Sequence, residues 1–297
     1  MIDLVITGTI GLDDVETPFG KVKSVLGGSG IYAAVAASYF ARPGLVSIVG
    51  KDKGEKKLSE LKKIDTEGVA RSGKTFKWSG CYEYDMNEAK TLKTELNSLS
   101  DFTPVLPPAY QKSKFLMLGN TDPEIQLNIL SQMTSKPFVV LDTMNYWIEK
   151  KKDSLGKVIR KINMLVLNEG EAREFCKTPN LIRAGKLLLD MGPKYVIIKK
   201  GEHGALLFSR SKFFSAPSYP LEELKDPTGA GDSFAGALTG YLSKAGGLSE
   251  KNIRKAIIFG SIIASFCAEN FSIDYHKKVT TKEIKERYAA IQKIREF

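Results

Sequence analysis

Four short apolar runs, separated by stretches of helical periodicity, restrict the fold more than any other feature of this sequence. The runs cover residues 115–118, 138–141, 164–167 and 195–198. Runs of this length between helical stretches are typical of buried parallel strands, which need long crossover connections. The sequence therefore predicts an α/β fold built on a mostly parallel central sheet.

The segments around these runs extend the same prediction. Apolar residues recur with helical spacing in residues 124–133, 169–176 and 181–191. Residues 4–6 and 46–49 have the composition of further buried strands, and we expect a loop at residues 9–14 and a helix after the glycines at 27–30. Thr280-x-x-Glu283 is a capping-box pattern that predicts the start of a terminal helix. Because no linker or repeat interrupts the chain, we expect residues 1–297 to form a single domain.

Residues 74–99 have a different composition from the rest of the chain. They are rich in aromatic and β-branched residues that partly alternate with polar ones. This pattern favours antiparallel strands over another strand–helix unit. Together with residues 14–26, which we expect to be irregular or hairpin-like, this segment is predicted to form a small β lid on the main domain.

One motif match is misleading. Residues 68–75, from Gly68 to Thr75, fit the phosphate-binding pattern Gly-x-x-x-x-Gly-Lys-Thr letter for letter. That pattern binds phosphate only when a buried strand precedes it and a helix follows it. Here a charged segment precedes it and the aromatic β segment follows, so we reject the match.

Composition excludes several classes of function. The net charge of +10 raises the possibility of nucleic-acid binding, but the lysines are spread along the chain beside acidic residues. We therefore expect no nucleic-acid partner. No apolar run approaches the roughly 20 residues of a membrane span, and the N-terminus lacks a signal-peptide pattern, so we expect a cytoplasmic protein without a membrane partner. Two distant histidines, His203 and His276, argue against a multi-histidine metal site or a serine-hydrolase triad.

The segment from Asp226 to Phe234 carries the clearest chemical signal. Its Gly229-Ala230-Gly231 turn leads into an apolar stripe with helical spacing. Unpaired N–H groups at the start of such a helix, together with the helix dipole, can hold an anion such as phosphate. Asp232 lies in the first helical turn, where the dipole alone also favours a carboxylate. Alternatively, Asp232 accepts a proton from a hydroxyl group that attacks a phosphorus atom held by the turn.

Polar residues follow each predicted strand. Asp142 comes directly after one apolar run, Asn168 and Glu171 follow the next, and Lys199 follows the last. Asp13 lies shortly after the first strand. Since ligands bind outside the carboxyl ends of parallel strands, we expect these side chains to share one edge of the sheet.

The sequence Asp-Pro-Thr-Gly-Ala-Gly-Asp-Ser-Phe at residues 226–234 resembles the C-terminal signature of the ribokinase family, the pfkB carbohydrate kinases. This resemblance implies a ribokinase-like three-layer sandwich in which Asp232 is the catalytic base and the amides of Gly229, Ala230 and Gly231 form an anion hole. Gly27-Gly28 resembles the family's N-terminal di-glycine signature. The resemblance implies that Gly27, Gly28, Asp13 and Asp232 contact the acceptor sugar.

The resemblance also implies ATP and Mg²⁺ as cofactors. Asn168-x-x-Glu171 is similar to the family motif that organises magnesium and phosphate through water, and its hard oxygen ligands suit Mg²⁺. Gly201-x-x-Gly204 resembles the loop on the nucleotide side, with Lys199 near the phosphates. Asn168, Gly229 and Gly231 complete this nucleotide-binding set, and Ser261 belongs to the helix beside the adenine pocket.

Two further expectations concern a bound cation and the assembly of subunits. A monovalent cation could bind near Asp226 and Thr228, although the sequence does not decide whether one is used. A small lid is only marginally stable alone, so we expect it to pair with the lid of another subunit in a homodimer.

Tyr32 departs from the family pattern. Family members that bind ribose or fructose commonly have an asparagine at the sixth position of Gly-Gly-x-x-x-Asn, where this chain has Tyr32. A bulky phenol disfavours ribose itself and favours a substrate with an apolar or aromatic face. The leading interpretation is an ATP-dependent kinase of a sugar or sugar-like alcohol. A nucleoside kinase, in which Tyr32 stacks on the base, and a non-catalytic sugar- or nucleotide-binding regulator remain alternatives.

Overall fold

The computed structural model describes residues 2–294. Within these residues the strands are β1 (Leu4–Thr7), β2 (Gly11–Thr17), β3 (Gly20–Gly27), β4 (Gly44–Val49), β5 (Val69–Arg71), β6 (Phe76–Tyr82), β7 (Ala89–Glu95), β8 (Phe115–Leu118), β9 (Phe138–Asp142), β10 (Met164–Asn168), β11 (Tyr195–Lys199), β12 (Ala205–Phe208) and β13 (Phe213–Ala216). The main sheet has the order β13-β12-β11-β10-β9-β8-β1-β4-β5. All pairs from β11 to β5 are parallel, whereas β12 and β13 are antiparallel.

Helices cover both faces of the main sheet. The helices are α1 (Ser29–Ala37), α2 (Lys53–Leu58), α3 (Pro108–Gln111), α4 (Pro123–Gln132), α5 (Asn145–Lys150), α6 (Lys152–Ile159), α7 (Glu169–Cys176), α8 (Leu181–Asp190), α9 (Ala230–Lys244), α10 (Glu250–Ala268) and α11 (Thr281–Ile294). Alternate residues of a strand face opposite layers, so Ile6 packs in one core with α1, α9 and α10, and Val5 packs in the other with α6, α7 and α8. The three-layer α/β prediction is confirmed.

The apolar runs and helical stretches were located correctly. The four runs are β8 to β11, and the three helical stretches are α4, α7 and α8. In the rejected phosphate-binding pattern, a turn and β6 follow β5, and no helix is present, which confirms the rejection. The Thr280 N–H donates to Glu283 Oε2 (2.7 Å), and the Glu283 N–H donates to Thr280 Oγ1 (3.3 Å), which confirms the capping box of α11.

The loop expected at residues 9–14 is wrong, because β2 begins at Gly11. β2 is the second strand of a smaller sheet with the order β3-β2-β6-β7. It pairs antiparallel with β3 and parallel with β6, and β6 pairs antiparallel with β7. The adjacent acidic residues Asp13 and Asp14 conceal the strand in the sequence, although Leu12 and Val15 are buried on it.

Thr75 connects the smaller sheet to the main sheet. It lies just before β6, where its hydroxyl and N–H donate to the two oxygens of Asp52 (2.5 and 2.9 Å), close to the end of β4. The Thr75 carbonyl accepts a hydrogen bond from the side-chain amide of Asn97 (2.9 Å), which follows β7. One residue therefore ties both ends of the β6–β7 hairpin to the main sheet.

No helix within residues 2–294 combines the length and the hydrophobicity that crossing a bilayer would require.

The buried side chain of His276 should make the folded state less stable at acidic pH. Its side chain is fully buried, and neither ring nitrogen has a hydrogen-bond partner among the described residues. Burial lowers the pKa of His276 from 6.5 to about 4. The unfolded chain therefore takes up a proton more readily, so stability from this group is complete above about pH 6.5 and is lost as the pH falls toward 4.

We expect His276→Leu to remove about 2 kcal/mol of the stability loss between pH 7.5 and pH 5, a figure that follows from the two pKa values. Urea unfolding at both pH values measures it. The matched control is His203→Leu, because His203 is exposed. Equal pH dependence in both variants would contradict the prediction.

Candidate active site

The Gly229–Gly231 turn lies at the start of α9, as the sequence predicts. Gly229 is the N-cap residue and has a left-handed backbone with φ of 77°. A Cβ atom at Gly229 would lie 2.2 Å from Tyr32 Cγ, so only glycine fits there. The Ala230 N–H donates to Pro227 O (3.1 Å) within the turn. Gly229 and Gly231 are therefore better placed than Ala230 to offer amide hydrogens to an anion.

Asp232 lies in the first turn of α9. The N-cap residue of this helix is Gly229, which makes no side-chain capping bond. The pKa of Asp232 is raised to about 7 by burial, which is the largest cause, together with the carboxylates of Asp142, Asp13 and Glu171, while Lys199 lowers it. A carboxyl group that titrates near neutral pH has the basicity that a general base needs.

Lys199 and Asp142 form a buried ion pair at the carboxyl ends of β11 and β9. Lys199 Nζ lies 2.8 Å from Asp142 Oδ1, and the side chains are 16% and 5% exposed. Burial works against the charge on Lys199, but Asp142 and Glu171 raise its pKa above the ordinary value, so it stays cationic. A Cβ atom at Gly231 would lie 2.9 Å from Lys199 Nζ, which places this cation beside the glycine turn.

Asn168 and Glu171 form the capping box of α7. Asn168 Oδ1 accepts from the Glu171 N–H (2.8 Å), and Glu171 Oε2 accepts from the Asn168 N–H (2.7 Å). Burial raises the pKa of Glu171 to about 7; Lys199 acts against this rise and Asp142 adds to it. Among residues 2–294, no three His, Cys, Asp or Glu side chains are arranged to hold a metal ion.

Asp13 lies on β2 against the di-glycine turn. A Cβ atom at Gly27 would lie 1.9 Å from Asp13 Oδ2, and the Gly28 N–H donates to the Asp13 carboxylate. Burial raises the pKa of Asp13 to about 7, and Asp226 and Asp14 contribute to this rise. The structure thus brings Asp13 against Gly27 and Gly28, which follow it by 14 and 15 residues in the sequence.

Tyr32 does not face a substrate. Its side chain is 1% exposed, and its ring packs directly beneath Gly229. The stacking role expected for Tyr32 is therefore wrong for this arrangement, because the backbone of the glycine turn covers the ring. The reason is the positive φ of Gly229, which brings the turn down onto α1 and leaves no room for a base.

The nucleotide-side residues lie further along the same edge of the sheet. Gly201 and Gly204 have positive φ angles of 53° and 83° in the short turn that follows β11 and Lys199. The Lys200 N–H donates to Gly204 O (2.7 Å) and closes this turn. Ser261 is buried on α10, which packs against α9. No side-chain hydrogen bond of Ser261 is found in the part of the chain that the structure describes.

Asp226 precedes the glycine turn and is 1% exposed. Its Oδ1 atom accepts from the Thr228 N–H (2.9 Å), but Oδ2 has no partner within residues 2–294. The Thr228 hydroxyl donates to the hydroxyl of Tyr82 (3.2 Å), which ends β6 of the smaller sheet. No motif singles out Tyr82 in the sequence, because its contact with Thr228 depends on how the two sheets meet.

Comparisons with known proteins agree with this geometry. The model of the pfkB family carbohydrate kinases matches residues 1–276. A cytidine kinase from Thermococcus kodakarensis is 30% identical over 249 residues, which cover 81% of this chain and 89% of that protein.

Two solved structures share the fold. The nucleoside kinase of Methanocaldococcus jannaschii has a TM-score of 0.77 at 20% identity, and the match covers 98% of this chain and 99% of the other. A putative ribokinase II from E. coli, solved in complex with ATP and Mg²⁺, has a TM-score of 0.80 at 17% identity over 98% and 100% of the two chains.

The match to the family model covers nearly the whole chain, and it includes both the di-glycine turn that holds Asp13 and the glycine turn that leads to Asp232. The chain therefore belongs to the pfkB family of carbohydrate kinases.

Proposed function

We propose that this protein transfers the γ-phosphate of ATP to a hydroxyl group of a nucleoside. The observation that carries the proposal is the position of Asp232, a carboxyl group with a pKa near 7 beside the glycine turn. A base at an anion-binding helix start is the arrangement that phosphoryl transfer to an alcohol requires. The similarity to a cytidine kinase favours a nucleoside acceptor.

Each residue of the site then has a role. Asp13 holds acceptor hydroxyl groups at the Gly27-Gly28 turn, and Asp232 takes the proton from the attacking hydroxyl. Gly229 and Gly231 donate to the transferred phosphoryl group, and Lys199 places a positive charge beside it. Gly201, Gly204 and Ser261 border the rest of the nucleotide.

The proposed cofactor is ATP with Mg²⁺. The side-chain oxygens of Asn168, which is exposed, and of Glu171, which is buried, are hard donors that suit this ion through bridging water. When bound, Mg²⁺ neutralises the charge of the β- and γ-phosphates. The chain itself contributes the cation of Lys199 and the amides of the glycine turn, which act on the same charge without moving during the reaction.

The smaller sheet is proposed to act as a lid in a homodimer. It carries Asp13 on β2, and Tyr82 connects it to Thr228. Its outer strand β7 is almost entirely exposed, and Leu92 on this strand is 63% exposed. β7 pairs with β6 on one side only, and the open edge of such a strand can pair with the same strand of a second copy.

The site for a monovalent cation is proposed at Asp226 Oδ2, a buried carboxylate oxygen without a partner. Such an atom normally finds a partner, and a cation would supply one directly behind the glycine turn. We therefore expect phosphoryl transfer to be faster in potassium chloride than in choline chloride, and Asp226→Asn to abolish the difference. Equal rates of the unmodified protein in both salts would contradict a cation at Asp226.

ADP release with cytidine, adenosine, ribose, fructose and polyols tests the proposed function. We expect the nucleosides to give higher kcat/KM than ribose. A higher value for ribose would identify a free-sugar kinase instead, and no phosphate transfer to any acceptor would support the non-catalytic regulator.

A further inference from the structure

Asn120 lies two residues beyond β8, on the edge of the sheet that carries the site. β8 lies between β1 and β9 in the sheet, and Asp142 ends β9. The backbone carbonyl of Asn120 accepts from the Ser29 hydroxyl (3.1 Å), and Ser29 directly follows Gly27-Gly28. Asn120 is therefore one hydrogen bond away from the turn that holds Asp13.

The orientation of the Asn120 side chain is fixed by chemistry. Trp147 Nε1 lies 2.7 Å from Asn120 Oδ1, and an indole N–H can only donate. The amide oxygen must therefore face Trp147, and the NH₂ group must face away from it. That NH₂ group contacts the sulfur of Met144 (2.9 Å), which is a weak acceptor.

This arrangement leaves a strong donor with a weak partner. The NH₂ group has two hydrogens, and within the described residues its contact is the thioether of Met144. Half-buried donors usually have a stronger acceptor, from protein, water or a ligand. The aromatic pair beside it offers a flat apolar surface, since Tyr146 is 51% exposed and packs edge-on against Trp147 with ring centroids 4.9 Å apart.

We propose that Asn120 determines acceptor specificity by donating to a ring nitrogen or carbonyl oxygen of the acceptor's base, which lies against Tyr146 and Trp147. A planar heterocycle combines an apolar face with in-plane acceptors, and a free sugar lacks that face. Trp147 and Met144 position the amide. This inference rests on the proposed nucleoside kinase activity, because the sugar of the same molecule occupies the Asp13 turn.

Asn120→Asp tests the inference with little change in shape. The new carboxylate still accepts from the Trp147 N–H, but its second oxygen replaces the NH₂ donor. Because this oxygen can only accept, it repels the ring nitrogen or carbonyl oxygen of the base. We expect binding of cytidine and adenosine, measured by calorimetry, to weaken about 10- to 100-fold, the effect of losing one buried hydrogen bond. We expect kcat/KM for the nucleosides to fall with it and kcat/KM for ribose to stay unchanged.

The matched control is Asn128→Asp, which adds the same charge on the exposed face of α4 and keeps the acceptor for Gln132. Trp147→Phe is the second variant, because it releases the amide without adding charge, and it should produce the same selective loss. Unchanged nucleoside binding in both variants, or equal losses for nucleosides and ribose, would overturn the inference.

The proposed function can fail separately. If the unmodified protein binds nucleosides but transfers no phosphate, the kinase proposal is wrong while a selective loss in Asn120→Asp still supports the base contact. If it phosphorylates ribose and binds neither cytidine nor adenosine, the role of Asn120 is wrong and the kinase activity stands.

Discussion

Asp232→Asn is expected to lower kcat by about 10²–10⁴-fold, the typical effect of losing a general base. The amide keeps the shape of the side chain but cannot take the proton of the attacking hydroxyl. Affinity for ATP should be unchanged or higher, because a negative charge next to the phosphates is removed. Steady-state kinetics with a nucleoside and ATP measure both quantities. A variant that keeps more than about a tenth of its turnover would contradict a catalytic role.

The dependence of kcat/KM on pH is a second test of the catalytic role of Asp232. The pKa of Asp232 is raised to about 7, mainly by burial, so kcat/KM of the unmodified enzyme should fall as the pH drops below about 7. The neighbouring carboxylates share this titration, so the apparent pKa belongs to the group as a whole. Asp232→Asn should remove the part of the profile that depends on the base.

Stability should respond in the opposite direction to activity. A carboxyl group whose folded pKa is raised stabilises the fold below its unfolded pKa of 3.8, and this stability is lost as the pH rises through about 7. At pH 8 Asp232→Asn should therefore unfold at the same temperature or a higher one. Asp153→Asn is the control, because Asp153 lies in the first turn of α6 and is exposed.

Lys199→Met is expected to destabilise the protein by about 3–5 kcal/mol, because it leaves the buried carboxylate of Asp142 without its partner. It should also weaken ATP binding, since the cation beside the glycine turn is lost. The double variant Lys199→Met/Asp142→Asn should recover much of the stability, because no buried charge is then unpaired, but it should not recover ATP binding. Urea unfolding and the KM for ATP measure the two effects.

The control for this change is Lys151→Met. Lys151 pairs with Asp122 at a similar distance, 2.7 Å, but the two side chains are 32% and 28% exposed. A solvated pair of this kind contributes about 0–1 kcal/mol. If the two lysine variants lost equal stability, or if the double variant were as unstable as Lys199→Met, the buried pair would not have the proposed importance.

Most of the fold could be predicted from local patterns. The bounds of α7 were predicted to the residue from its helical spacing, and the structure shows that its start is stabilised by a capping box of Asn168 and Glu171, which depends on neighbouring residues alone. β2 was missed for the opposite reason. Its central residues Asp13 and Asp14 are acidic, and it forms a strand because β3 and β6 pair with its two edges.

The site was predictable wherever a motif fixes the backbone. Gly27, Gly28 and the glycine turn before Asp232 lie where their motifs placed them, because these turns need glycine for steric reasons. Contacts between distant side chains were not predictable. The Lys199–Asp142 pair depends on strand register, and the Trp147–Asn120 hydrogen bond depends on the position of α5. Tyr32 was assigned to the wrong surface because Gly229, which covers its ring, is 197 residues away in the sequence.

Asp13 and Asp232 belong to different parts of the molecule, since β2 lies in the smaller sheet and α9 packs on the main one. An acceptor that contacts both carboxylates therefore cross-links the two sheets. By thermodynamic reciprocity, a second copy bound along β7 that favours the same arrangement raises acceptor affinity, and the acceptor strengthens the dimer by the same factor. A water molecule at Asp232 lacks the further hydroxyl groups with which an acceptor would contact Asp13, so it contributes no such cross-link. Futile hydrolysis of ATP should accordingly be slow until the true acceptor arrives.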